Sequence, residues 1–202
     1  RARGERPWHT SPLRGLQRYV ERTRTAPLAG TAISTAEDRD DPERVRDIVG
    51  NAGSAWRDGE GDLALEIYSG LLDEDPGFVP AWLARGRCHL DLSDWGSAIS
   101  DFRKAEDLAP ASPEPFMAQG DLYVARRDYG TAVDRFDEAL ARDANHAMAR
   151  CRRGISHYYQ QNHRQAYLDL QRAFNLDPEI PNIRRFVQLA VSKLEPGDPS
   201  GA

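Results

Sequence analysis

The chain is short of cysteine, of lysine and of long apolar runs. Two cysteines occur in 202 residues, Cys88 and Cys151. They hold different positions relative to the repeat described below, so a disulfide framework is not expected and both read as small, half-buried core residues. Of the 27 basic residues only Lys104 and Lys193 are lysine; this reads as the mark of a GC-rich genome and carries no mechanism. No apolar stretch approaches the ~18 residues that would span a bilayer, and no basic start, apolar core and small-residue cleavage site mark a secretory leader. The expected location is therefore cytoplasmic. The chain opens on Arg1 rather than Met, which leaves an upstream segment, a membrane anchor included, as an open alternative.

Catalytic and metal-binding patterns are also missing. His157 and His163 straddle a predicted turn and His146 sits in a predicted loop, none with a Cys, Asp or Glu at metal-ligand spacing. There is no glycine-rich phosphate loop; Gly59-Glu60-Gly61-Asp62 reads as a turn between helices. Asp73, Glu74 and Asp75 follow no calcium-loop spacing. No serine or cysteine has a plausible base within a helical turn. No catalytic residue, metal site or cofactor is expected, and the chain reads as a non-enzyme.

Charge is unevenly placed. Residues 1–30 hold seven Arg against Glu5 and Glu21, a net +5 in a chain of net −5, so residues 31–202 carry −10. A basic arm can meet nucleic acid or anionic lipid; a solvated leader is the reading preferred here. Nucleic acid is not the expected partner, and contact with a membrane is expected only if this arm supplies it.

What is present is a period. Alanine recurs at 64, 98, 132 and 166, a fixed step of 34 residues. Gly86, Gly120 and Gly154 sit twelve positions before the last three alanines; Tyr68, Phe102, Phe136 and Leu170 sit four after; Pro76, Pro110 and Pro178 sit twelve after. Such a period signifies stacked supersecondary units. Punctuation divides it into helix pairs at about 42–57 and 60–73, 79–92 and 95–108, 113–126 and 129–142, and 147–160 and 163–176. A ninth helix is predicted near 181–194, followed by a disordered tail at 195–202. Glu60, Asp94, Asp128 and Asn162 share the position before each second helix, where a short acceptor caps free N–H groups. Ser112-Pro113-Glu114-Pro115 is compatible with a helix start, because first-turn prolines lose no intrahelical bond. The mid-helix glycines each cost ~1 kcal/mol relative to alanine; close approach of the partner helix at the facing alanines is the expected reason.

These residues resemble the tetratricopeptide repeat family. The second unit matches its pattern as Trp82, Gly86, Ala98, Phe102, Ala105 and Pro110, and the third as Phe116, Gly120, Tyr123, Ala132, Phe136 and Ala139. The fourth keeps Gly154, Ala166, Ala173 and Pro178, with Arg150 in the aromatic position. The first keeps Ala64, Tyr68 and Pro76. The resemblance implies an all-α, right-handed superhelical solenoid of four antiparallel helix pairs over 42–194, closed by the ninth helix as a cap. It leaves residues 1–41 as an arm. There Leu13, Leu16, Tyr19 and Val20 predict one short amphipathic helix at about 12–22, followed by a linker. That helix is expected either to pack on the first units or to stay a free arm.

The resemblance also implies a concave groove lined by first-helix side chains. Carried over position by position, these are Arg46, Val49, Trp56 and Arg57; Leu83, Arg87, Leu90 and Asp91; Glu114, Met117, Asp121 and Val124; Met148, Cys151, Arg152, Ile155, Tyr158 and Tyr159; and Arg185, Leu189 and Lys193 from the cap. The set is rich in apolar side chains and more basic than acidic. It suits a protein or peptide with apolar anchors and some negative charge. One subgroup of the family grips chaperone C-terminal carboxylates with a Lys, Asn, Asn, Lys, Arg constellation. The matching positions here hold Leu83, Arg87, Ala118, Met148 and Arg152, so that clamp is not expected. The function implied is a protein–protein interaction module, an adaptor or scaffold. The alternatives are a self-assembling structural module and a regulatory segment of a larger enzyme or membrane-associated assembly. Oligomeric state is left open.

Overall fold

The computed structural model describes residues 42–194, with side chains from Ile48 onward. The predicted arm and its helix at 12–22, the tail at 195–202 and the side chain of Arg46 lie outside the described residues. Among the described residues there are nine helices and no strand. They are α1 Pro42–Arg57, α2 Gly61–Glu74, α3 Val79–Asp91, α4 Trp95–Leu108, α5 Glu114–Ala125, α6 Tyr129–Arg142, α7 Ala147–Tyr159, α8 His163–Leu176 and α9 Ile183–Val191. The bounds follow the predicted pairs to within one or two residues at most ends. The exception is the terminal helix, shorter than expected at both ends: it starts only after a left-handed Asn182 (φ 62°), and beyond Val191 the chain closes in turns, with Lys193 N–H on the Ala190 carbonyl and Leu194 N–H on the Val191 carbonyl.

The chain divides into two compact units, up to Leu92 and from Ser93. In the first, α1 packs on α2 and α2 on α3. Its core is Ile48, Ala52, Ala55, Ala64, Ile67, Tyr68, Leu71, Leu72, Ala81 and Cys88. In the second, each helix from α4 to α9 packs on the next. Phe116, Phe136, Ala132 and Ala139 centre one cluster; Cys151, Ala166, Leu170, Ala173 and Ile183 centre another.

The small residues do meet bulk, but differently from the expectation. A Cβ built on Gly120 would lie 2.3 Å from a ring carbon of Phe136, and one on Gly154 would lie 2.9 Å from Cγ of Leu170. The glycine makes room for the large side chain four residues beyond the alanine, rather than chiefly for the alanine. The aromatic position and the glycine position are one packing unit, which explains why both recur with the period.

Capping was half legible. Asp94 accepts from the Ser97 N–H at 3.1 Å, and Asp128 from the Thr131 N–H at 3.2 Å. The Thr131 hydroxyl adds a bond to the Asp128 carboxylate at 2.8 Å and holds its pKa below the usual range. Glu60 and Asn162 make no side-chain cap; Asn162 donates instead to Gln160 at 3.1 Å. His146, read only as a loop residue, caps α7 by accepting from Ala149 N–H at Nδ1.

A second periodic feature escaped the sequence reading. Gly59, Ser93, Arg127 and Gln161, again 34 apart, all adopt left-handed backbone with φ between 61° and 82°. They turn each first helix into its second. At Arg127 the geometry is a Schellman closure: the Asp128 N–H bonds the Tyr123 carbonyl at 2.9 Å and the Arg127 N–H bonds Val124 at 2.9 Å. Only the first turn uses glycine, which adopts this conformation without a Cβ penalty. Arg127→Gly and Gln161→Gly are each expected to raise stability by about 0.5–1 kcal/mol, the left-handed penalty less the entropy of the added glycine. Denaturant midpoints measure it; a fall in midpoint for both would contradict the turn assignment.

Candidate groove on the first helices

On an α-helix, positions three and four apart share a face. That rule places Asp121 and Val124 together on α5, and Met148, Arg152, Ile155 and Tyr159 together on α7. In the second unit these two faces form a half-buried stripe. Val124 packs on the Phe116 cluster, Ile155 and Tyr158 on the Cys151 cluster, and Met148 on both. Arg152 pairs with Asp121 through an Nη1–carboxylate contact, tying α7 to α5. On α9 Arg185 is exposed and Leu189 partly buried.

This geometry changes the electrostatic reading. The guanidinium of Arg152 was counted as available for an acidic partner, yet Asp121 compensates it. The stripe of the second unit is apolar with an internally neutralised ion pair, leaving the exposed Arg185 and Lys193 as the cations of its set without an ion pair among the described residues. Three expected groove residues are core residues instead. Leu83 is 7 % exposed, Met117 8 % and Cys151 2 %; their period places them on the face, but neighbouring side chains close over them. Tyr159 is exposed and stacks on Tyr129 with ring centroids 4.9 Å apart. Tyr158 meets Tyr159 edge-on and approaches His163 at 5.5 Å, so the two tyrosines belong to an aromatic cluster at the end of the helix pair.

In the first unit Arg87 is exposed, while Val49, Trp56 and Leu90 are partly buried. The Trp56 indole N–H donates to the Asp91 carboxylate at 3.2 Å, and Arg57 donates to the Ser54 hydroxyl at 3.0 Å. Trp56 therefore joins α1 to α3 and is not a free anchor.

Burial, with a smaller contribution from Asp91, pushes the Cys88 thiol up to about 12, and burial pushes Cys151 up to about 11, so neither is a thiolate near neutral pH. Among the described residues no group of three or more His, Cys, Asp or Glu is arranged to hold a metal ion. Among them, too, no helix is long and apolar enough to cross a membrane.

Sequence reasoning missed one polar centre of the second unit. Arg153 on α7 donates to Asp169 of α8 through Nε at 2.7 Å and Nη2 at 2.6 Å, and to Asp137 of α6 at 2.5 Å. The bonds to Asp169 hold the guanidinium above its ordinary range. The signal was available, since Arg85, Gln119 and Arg153 are 34 apart, but a charged residue at a regular position reads as solvated surface until its partners are placed.

Comparison with known proteins agrees with this geometry. The sequence profile described as tetratricopeptide repeat matches residues 50–113 and 117–179. A protein SGT1 homolog of Oryza sativa is 26 % identical over 86 residues, 43 % of this chain and 23 % of that protein. The chain thus spans about a quarter of the length of this curated relative. Among solved structures, that of PilW, described as a widely conserved type IV pilus biogenesis factor, matches with a TM-score of 0.63 at 25 % identity, over 71 % of this chain and 68 % of that one. The first repeat domain of Spaghetti (RPAP3), solved with an HSP90 peptide, matches with a TM-score of 0.54 at 18 % identity, over 56 % of this chain and 90 % of that one.

Proposed function

Because the chain belongs to the tetratricopeptide repeat family, we propose that it is a non-enzymatic adaptor that binds a segment of a partner protein along the first-helix face of its second unit. The observation that carries this is the stripe of half-buried apolar side chains, Val124, Met148 and Ile155, beside one ion pair, Asp121–Arg152. A protein of this fold has been solved holding a peptide, and a peptide or helix with two or three apolar anchors is the partner this stripe fits. Each covered apolar side chain contributes roughly 25 cal/mol per Å² removed from water, so a few anchors dominate the affinity. The acidic complement expected of the partner is assigned to Arg185 and Lys193 rather than to Arg152, whose charge is already met. The chaperone clamp is not part of the proposal: Leu83 and Ala118, in two of its positions, are buried apolar residues.

The test is capture of a partner by the full chain, followed by affinity measurement with Val124→Ala combined with Ile155→Ala. Loss of more than tenfold, about 1.4 kcal/mol, is expected, with the far-ultraviolet circular dichroism unchanged. A charge swap, Asp121→Arg with Arg152→Asp, keeps the pair and reverses the field offered to the ligand, so it separates polar from apolar recognition. Equal affinity for the wild-type chain and the alanine pair would place the interface on another face.

A further inference from the structure

The most unusual polar feature of the second unit lies on the other side of α5. A cleft of about 340 Å³ opens between α4 and α6 with α5 as its floor, lined by Arg103, Glu106, Asp107, Gln119, Tyr123 and Arg135. Gln119 and Tyr123 project away from the helix face that carries Asp121 and Val124, so this is not the groove described above.

One repeat later the same positions are filled differently. Adding 34 turns Arg103, Gln119 and Arg135 into Asp137, Arg153 and Asp169. In the later repeat a central arginine bonds carboxylates on both flanking second helices. In the cleft the charges are reversed: the flanking helices carry the arginines, and the centre carries a neutral amide. The centre therefore supplies no acid to satisfy them. Gln119 instead donates to Glu106 at 2.6 Å, where the later repeat has the buried Leu140. Among the described residues neither the Arg103 nor the Arg135 side chain has a hydrogen bond or ion pair, and the Arg135 Nε is buried without an acceptor. A third guanidinium, Arg126, lies over the Tyr123 ring at 5.9 Å.

We propose that this cleft is a second binding site, which takes one acidic side chain of a partner polypeptide between Arg103 and Arg135. A carboxylate entering there does for the two arginines what Asp137 and Asp169 are held by Arg153 to do in the next repeat. It accepts from planar guanidinium forks and gives the buried Nε its acceptor. Glu106 and Asp107 at the wall decide the class of anion. They repel a doubly charged phosphate more than a single carboxylate, and they accept from N–H donors of the incoming chain. The site is independent of the stripe on α5 and α7.

The experiment observes the arginine Nε–H signals of the isotope-labelled full chain by nuclear magnetic resonance. The probes are acetyl-Ala-Glu-Ala-amide, its Gln counterpart and inorganic phosphate. The Glu peptide is expected to shift the Arg103 and Arg135 signals saturably, with at least tenfold weaker effect from the Gln peptide and no shift of Arg153. Arg103→Gln with Arg135→Gln is expected to weaken the Glu peptide at least tenfold. The Val124→Ala and Ile155→Ala pair is expected to bind it unchanged, which separates this site from the groove. Should the double arginine variant not fold, the Glu and Gln peptides on the wild-type chain still decide. Absence of a saturable shift, equal shifts from both peptides, or phosphate acting at lower concentration than the Glu peptide would each overturn the proposal.

Discussion

Gly120→Ala is expected to destabilise the chain by about 2–3 kcal/mol, although alanine is the better helix former. The added methyl would sit 2.3 Å from one ring carbon of Phe136 and 2.7 Å from two others. Phe136 is 0 % exposed and has nowhere to move. Overpacking of this kind costs typically 1–3 kcal/mol and occasionally more, against ~1 kcal/mol regained from helix propensity. Overlap this deep belongs at the upper end of that range or beyond it. Gly70 is the control. It also lies inside a helix, α2, but a Cβ there meets nothing within 4 Å. Gly70→Ala is expected to gain about 1 kcal/mol. The two substitutions are chemically the same and should move the denaturant midpoint in opposite directions. A Gly120→Ala chain as stable as wild type would mean that α5 and α6 do not approach as described.

Arg153→Ala is the second large effect, a loss of about 2–3 kcal/mol. The substitution strips Asp169, only 5 % exposed, of two short hydrogen bonds and leaves Arg150 at 3.8 Å as its ion-pair partner. Removing one member of a buried pair costs about 3–5 kcal/mol. The figure is reduced here because the Arg153 side chain retains 21 % exposure and water can reach it. Asp137→Ala is expected to cost under about 1 kcal/mol, since that carboxylate is 52 % exposed. Combining Arg153→Ala with Asp169→Ala should cost clearly less than the two single losses together, because the second change removes the orphaned charge created by the first. Strict additivity in thermal or denaturant melts would show that the bridge contributes no coupling.

Both predictions depend on how far local pattern carries into packing. The helix pairs were legible because the 34-residue step, the prolines after second helices and the acceptors at Asp94 and Asp128 act within a turn or two of the backbone. The glycine period was legible as a close approach, but not as an approach to Phe136 and Leu170, since the ring's direction depends on how α5 and α6 cross. The groove was legible only as a set of helix faces. Arg152 and Asp121 looked like two separate charges because they are 31 positions apart; only the stacking of α7 on α5 makes them a pair. Leu83, Met117 and Cys151 were read as lining residues for the same reason, since a face shows its direction and not what closes over it. The left-handed Arg127 and Gln161 gave no compositional sign at all, because the turn imposes that conformation on residues that do not favour it.

Sequence alone determined that this chain forms 34-residue helix pairs and which residues share each helix face. Those properties follow from hydrophobic period, helix breaking and capping, which are local. Tertiary structure alone decided which charges are free. An arginine's partner is chosen by the approach of another helix, and that approach left Arg152 and Arg153 satisfied while Arg103 and Arg135 face an open cleft.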